Sequence, residues 1–310
     1  MGIILKRVLL ILAAVFVLLI SSIYLLIPDT LTIRNEIIVG CSAQGANRTI
    51  NTNWKEIFRQ ASSNERSSGA YQYTLIKPLY NGSRILIQSN IGTDTSTLSL
   101  LPVSSDTTIF QWNLSRQTGS DPISKLTDYI SMLALKKDIL AKMIYLKGYV
   151  DKTTNVYGYN ITHITLTDTI LVSTEMVENS YPTTKDIYIL IQRLQKYIST
   201  NGAKETNYPM LNISVVNNKY STMVGIPINK SILPDNEIKI KRLIPIQNKI
   251  LTTQVVGDTS KIKEAYQKIE LYMQDHFLSS PVIPYELIIT DRSKQPDSTK
   301  WVTRIMYPIA

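Results

Sequence analysis

The chain has one cysteine, Cys41, and two histidines, His163 and His276, in 310 residues. A single thiol excludes an intramolecular disulfide. No Cys-x-x-Cys or His-x-x-x-His spacing marks a zinc site, so neither a metal nor a cofactor is expected. A Gly-x-Ser-x-Gly elbow, a P-loop and a Gly-x-Gly-x-x-Gly turn are also missing, and with them the usual marks of serine hydrolysis and phosphate binding. No residue therefore stands out as catalytic. His163 opens a strand and His276 closes a helix, where a cation suits the dipole, so both read as surface residues. Phe is scarce at 4 copies, whereas Tyr reaches 18, and Tyr suits walls that are partly wet.

Concentrated positive charge is missing too. The formal charge is +9, divided as +2 before residue 28, +4 over 28–155 and +3 over 156–310. The densest basic run is Lys239-Ile240-Lys241-Arg242. A nucleic-acid face needs more than this, so no nucleic-acid partner is expected.

What is present begins at the N-terminus. Val8 to Ile27 carries no charge and spans about 30 Å as a helix, enough to cross a bilayer. Lys6 and Arg7 precede it and Pro28-Asp29 ends it, with no small-x-small cleavage site following. Residues 1–28 are expected to be a cytoplasmic tip and an uncleaved signal anchor. The soluble part then lies on the extracytoplasmic side of a bacterial inner membrane. Cys41 follows Ile38-Val39-Gly40, but Asp29, Arg34 and Glu36 part it from the apolar run, so it reads as structural rather than lipidated.

Residues 29–155 form a first domain. Strands are expected at Leu31–Val39, Tyr71–Ile76, Arg84–Gln88, Leu98–Val103 and Thr107–Asn113, with a short helix at Asn53–Gln60 and a polar loop at 61–70. Asp121-Pro122 starts a long helix in which Ile123, Leu126, Ile130, Leu133, Leu140, Met143 and Ile144 recur at helical spacing, and Gly148 reads as its stop. That order predicts an α+β domain with the helix across a curved sheet.

Residues 156–310 repeat themselves, over about 160–230 and 238–310. Thr184–Ala203 matches Thr259–Leu278 at an offset of 75, pairing Ile191 with Tyr266, Leu194 with Ile269 and Tyr197 with Tyr272. Pro209 and Pro284 follow the two helices. The closing strands end in Pro227 and Pro308 at an offset of 81, so the second unit holds six extra residues, expected at Asp291–Lys300. Each unit reads strand–helix–strand–strand, which predicts a pseudo-twofold domain with helices on one side of a concave sheet.

The second half resembles the GyrI-like small-molecule-binding domain, also used as an effector-binding module. The resemblance rests on Val256-Gly257-Asp258, on Ala265-Tyr266 with Ile269 and Tyr272, on Pro284-Tyr285-Glu286-Leu287 with Thr290-Asp291, and on Trp301-Val302-Thr303 with Tyr307-Pro308-Ile309. The first half resembles the helix-grip SRPBCC (START-like, polyketide-cyclase-like) domain through Ile27-Pro28, Trp54, Thr108-Ile109-Phe110-Gln111-Trp112, Asp121-Pro122, Leu146-Lys147 and Asn155-Val156-Tyr157-Gly158-Tyr159. Neither resembles a DNA-binding module.

The GyrI-like resemblance implies a cavity-facing glutamate at the position of Arg304, and often an acid at Met223. With Arg and Met there, a lipophilic cation is expected to be repelled, and hydrolase chemistry loses its base. Arg304 then pairs with Glu286 or Glu175 or snorkels, serves as a fork for an anionic ligand, or marks a closed pocket. Asp168, Glu175, Glu178, Glu286 and Asp291 flank strands and read first as solvated carboxylates. The expected role is non-catalytic binding of a small amphipathic or aromatic molecule by Arg304, Met223, Tyr285, Tyr307, Trp301 and Glu286. The alternatives are a GyrI-like hydrolase and an envelope scaffold without a ligand.

Overall fold

The structure is a computed structural model and describes residues 2–63, 71–90, 92–165, 169–243, 249–280 and 282–309. It is a mixed α+β chain with an N-terminal apolar helix and two curled antiparallel sheets. The chain divides into two compact units, Met1–Lys152 and Thr153–Ala310.

The first unit opens with helix α1 (Gly2–Leu26), whose stretch Ile4–Leu26 is long and apolar enough to cross a membrane. Next come β1 (Thr30–Val39) and α2 (Ala43–Ser63), which is kinked at Asn53. The strands β2 (Tyr71–Leu79), β3 (Gly82–Ser89), β4 (Gly92–Pro102) and β5 (Thr108–Gln117) follow, and α3 (Pro122–Val150) closes the unit. The sheet order β1-β5-β4-β3-β2 is antiparallel throughout, so the first strand pairs with the last. Alternation aims Ile85, Ile87, Leu98, Leu100, Phe110, Trp112 and Leu114 inward, where all are buried. Most of the loop expected at 61–70 lies outside the described residues.

Helix α3 starts as its sequence dictates. The Asp121 side chain accepts from the Ile123 and Ser124 amides, and Pro122 sits at the first helical position. One expectation fails along it. Gly148 does not stop the helix, which runs on to Val150 with its cap at Asp151. The buried face is Met132, Leu135, Ile139, Met143 and Leu146, whereas Ile123, Leu126, Ile130, Leu133, Leu140 and Ile144 are exposed. The helix is apolar on two sides, so spacing alone could not say which side meets the sheet.

The second unit contains α4 (Thr153–Tyr157), β6 (Thr162–Ile164), β7 (Thr169–Glu178), α5 (Thr184–Thr200), β8 (Met210–Val216), β9 (Lys219–Ile228), β10 (Lys239–Leu243), β11 (Ile250–Val256), α6 (Thr259–Asp275), β12 (Tyr285–Ile288) and β13 (Val302–Pro308). Its sheet order is β10-β7-β9-β8-β12-β13-β11-β6. Either side of the central β8–β12 contact the order mirrors, with β7-α5-β8-β9 answering β11-α6-β12-β13. Thr183 caps α5 through a reciprocal box with Asp186, and Asp258 caps α6. Leu190, Ile191, Leu194 and Ile198 lie in the core beneath α5; Ile262, Ala265, Ile269 and Met273 do the same beneath α6.

The two units close differently. Asn217 and Asn218, at φ 50° and 60°, join β8 to β9 in a tight hairpin of the left-handed kind. Between β12 and β13 the chain instead takes residues 289–301, with a 3-10 turn at Ser298–Lys300. His276 corrects a further expectation: it is buried, stacks on Tyr272 at 3.8 Å and bonds the Tyr272 carbonyl through Nδ1 at 2.7 Å. The last turn of α6 encloses it.

Gly82 ties the first sheet together at the β2–β3 turn. It sits at φ +153°, and a Cβ there would lie 2.0 Å from the Leu98 carbonyl oxygen. Gly82→Ala must move β3 from β4, at a cost of about 3 kcal/mol. Denaturant unfolding followed by the fluorescence of Trp54 and Trp112 is expected to show that loss.

Candidate functional site

Strand pairing decides which face each candidate occupies, because directly opposed residues share a side of the sheet. Glu286 opposes Ile305 and Leu211, which belong to the cores under α6 and α5. Glu286 is therefore on the helix face, and so is Tyr307, two residues from Ile305. Tyr285 opposes Met306 and Leu287 opposes Arg304, on the other face. Met223, opposed by Glu175 and Asn212, is on that other face too. The six sequence candidates thus divide between two surfaces of one sheet.

On the helix face, Glu286 meets a cation, and it is not Arg304. The long β12–β13 connection folds back and places the Arg292 guanidinium 3.6 Å from the Glu286 carboxylate, with side chains 6% and 14% exposed. Arg292 also donates to Thr303 Oγ1 at 2.8 Å and lies over the Trp301 ring at 5.0 Å. Its backbone amide donates to the Tyr188 hydroxyl at 2.6 Å. Trp301 is held in turn, with Nε1 donating to the Gln295 carbonyl at 2.8 Å. Asp291, just before Arg292 in the connection, is held at about 2, mainly by the Ser293 hydroxyl and the Lys294 ammonium.

Tyrosines line this face. Tyr181 meets Tyr220 edge-on at 5.5 Å, and Tyr266 meets Tyr307 edge-on at 6.2 Å. The Lys263 ammonium lies over the Tyr181 ring at 5.0 Å. Burial raises the Tyr181, Tyr188, Tyr266 and Tyr307 phenols, and the nearby Glu286 charge adds to the rise at Tyr181 and Tyr266. Burial likewise raises the Glu286 carboxyl, opposed by the Arg292 charge and hydrogen bond. Together these groups set tyrosine rings around a buried ion pair on the helix face of the sheet.

The other face holds an apolar groove of about 210 Å³. Leu171, Met210, Met223, Gly225, Ile283 and Tyr285 contribute to it. The Tyr285 hydroxyl is buried with no hydrogen-bond partner among the described residues, and burial lifts it to about 12. At the rim, Lys241 Nζ sits 2.8 Å from the Met223 sulfur. Arg304 shares this face between Leu287 and Gln254 but does not line the groove. Glu175 accepts from the Ser221 hydroxyl, and Asp168 lies outside the described residues. In the first unit, a depression of about 680 Å³ runs beside Trp54, Phe58, Tyr71 and Tyr73. Among the described residues, no group of three or more His, Cys, Asp or Glu is placed to hold a metal ion.

Sequence reasoning missed Arg292, Tyr181, Tyr188 and Tyr220. The abundance of Tyr was a signal without an address. The six extra residues of the second unit were an address without a role.

No known protein-family profile matches the chain, and no curated protein matches it. Solved structures do. The EcmrR C-terminal domain aligns over 49% of this chain and 98% of its own, at 17% identity and a TM-score of 0.42. A hydrolase from Listeria innocua aligns over 48% and 91%, at 11% identity and 0.38. SAV2435, solved bound to tetraphenylphosphonium, aligns over 48% and 93%, at 16% identity and 0.34. What those proteins bind or catalyse is said of them alone.

Burying Glu286 makes Arg292 the residue to test. Arg292→Leu leaves a carboxylate without its cation, at a cost of about 3–5 kcal/mol near neutral pH. A carboxyl whose folded pKa exceeds its unfolded value of 4.5 gives stability that is fully present below that value and is lost as pH rises through the folded one. The Arg292→Leu deficit is therefore expected to shrink toward pH 4, and Glu286→Gln in the same background to recover much of it, both read by denaturant unfolding.

Proposed function

We propose that the second unit binds a small aromatic or amphipathic molecule in the helix-face cleft and that no covalent chemistry is involved. One observation supports the reading: the buried Glu286–Arg292 pair lies on the helix face among Tyr181, Tyr188, Tyr220, Tyr266 and Tyr307. Convergent polar groups in a partly apolar concavity, with displaced pKa values, are the general mark of a ligand site. Ring faces and edges suit a flat ligand, and each ring contact adds about 0.5–1.5 kcal/mol. In this proposal Tyr307 contacts the ligand, and Trp301 acts indirectly, by holding Arg292. Met223 and Tyr285 are candidates for the groove on the other face, whereas Arg304 shares that face outside the groove. In this reading Arg304 does not repel a cationic ligand from the cleft, because the sheet stands between them.

In the same proposal the mirrored strand order reflects a duplicated GyrI-like unit over about 160–230 and 238–310, and residues 29–155 an SRPBCC-like domain. Helix α1 serves as a signal anchor in a bacterial inner membrane with both units outside. Calorimetric titration of the full chain with neutral, cationic and anionic aryl compounds tests the site. Tyr266→Ala is expected to weaken the best ligand about 2- to 10-fold, and Met210→Trp, which fills the other groove, to leave it unchanged. Binding lost with Met210→Trp and kept with Tyr266→Ala would assign the ligand to the wrong face.

A second reading, hydrolysis, is favoured by one feature. The raised carboxyl of Glu286 is poised for proton transfer beside buried phenols. An aryl-ester panel is expected to show no turnover above the Glu286→Gln background, and turnover lost in that variant makes the cleft an active site.

A further inference from the structure

The groove on the face away from the helices plays no part in the aryl site proposed above. Five adjacent strands line it, in the order β10-β7-β9-β8-β12. Lys241 comes from β10, Leu171 from β7, Met223 and Gly225 from β9, Met210 from β8 and Tyr285 from β12. Pairing keeps these residues on one side of the sheet. Lys241 opposes Leu171, Ser173 two residues on opposes Gly225, and Gly225 opposes Met210. The groove therefore crosses the strands, with Lys241 at one end and Tyr285 at the other. Between them the lining is aliphatic and rich in methionine, which suits a flexible chain.

Each end presents a polar group that the protein leaves poorly matched. Tyr285 is 8% exposed, and its hydroxyl has no hydrogen-bond partner among the described residues. A buried hydroxyl in that state costs free energy until an acceptor meets it. Burial also keeps the phenol protonated, so it offers a donor. At the other end the Lys241 ammonium lies 2.8 Å from the Met223 sulfur, which is a weak acceptor, and no carboxylate pairs with it among the described residues. Ser173, Met223 and Lys241 also line an adjoining polar depression of about 350 Å³. There Glu175 accepts from the Ser221 hydroxyl and Arg193 pairs with Glu237, which leaves Lys239 and Lys241 to set the charge.

We propose that this groove is a second ligand site, which takes a medium-length aliphatic chain with a carboxylate at the Lys241 end and a hydroxyl or carbonyl oxygen at the Tyr285 end. The carboxylate replaces the sulfur as the partner of the ammonium and keeps its hydration, because Lys241 stands where the groove meets the polar depression. The far oxygen accepts from the phenol. A chain ending in an amine would instead meet Lys241 as a like charge. The groove, at about 210 Å³, holds roughly seven methylene-sized groups at ~30 Å³ for a group the size of water. An ω-hydroxyoctanoate matches that length and carries both ends.

Calorimetric titration of the full-length chain in lipid nanodiscs, with empty nanodiscs as the blank, tests the site with ω-hydroxyoctanoate, octanoate and the matching diol. The wild type is expected to bind ω-hydroxyoctanoate at least about fivefold more tightly than octanoate, which leaves Tyr285 unanswered, or than the diol, which leaves Lys241 unanswered. Tyr285→Phe is expected to abolish the preference over octanoate and keep the preference over the diol. Lys241→Met is expected to do the reverse. Tyr285→Phe removes a hydroxyl that bonds nothing among the described residues, so its melting point is expected to hold or rise. None of the three compounds carries a ring, so the result does not depend on the aryl site. No measurable binding of ω-hydroxyoctanoate, equal affinity for the three compounds, or preferences that survive both substitutions would each overturn the proposal.

Discussion

The second unit depends on one buried ion pair. Glu286 stands between β8 and β13 on the side covered by two helices, where an isolated carboxylate costs several kcal/mol. Arg292 offsets that cost from 3.6 Å and is itself held by Thr303, Trp301 and the Tyr188 hydroxyl. These contacts join the β12–β13 connection to α5 and to β13. Burial raises the phenols around this pair, and the Glu286 charge adds to the rise at Tyr181 and Tyr266.

The pair also explains why the two strand–helix–strand–strand units differ in length. A two-residue turn at Asn217-Asn218 suffices where the first unit closes. The second closes through a longer excursion because it must carry a cation back beneath the sheet. Extra length is cheap in closure entropy, a fraction of a kcal/mol for each doubling, whereas an unpaired buried carboxylate is not. The additional residues are thus tied to the site rather than ornamental.

Much of the fold was legible in the sequence because its signals are local. Asp121-Pro122, Thr183 with Asp186, and Asp258 each satisfy amides within a turn, so the three main helices began where those residues sit. The repeat at an offset of 75 located α5 and α6 together. The site was only half legible. Strand alternation separated Trp301, Thr303, Ile305 and Tyr307 from Val302, Arg304 and Met306, yet alternation cannot say which set meets the helices. That choice depends on the partners of each strand, and the diagnostic charge sat on β12 and in the following loop. Helix α3 posed the same problem: with apolar residues on two sides, its periodicity matched both a core face and a free one.

The central claim is that ligands enter on the tyrosine side of the sheet, over Glu286 and Arg292. Fluorine NMR of the chain labelled with 3-fluorotyrosine tests it most directly, because the two faces carry different tyrosines. With an aryl ligand added, the resonances of Tyr181, Tyr188, Tyr220, Tyr266 and Tyr307 are predicted to shift together while that of Tyr285 stays in place. A shift confined to Tyr285 would contradict the account.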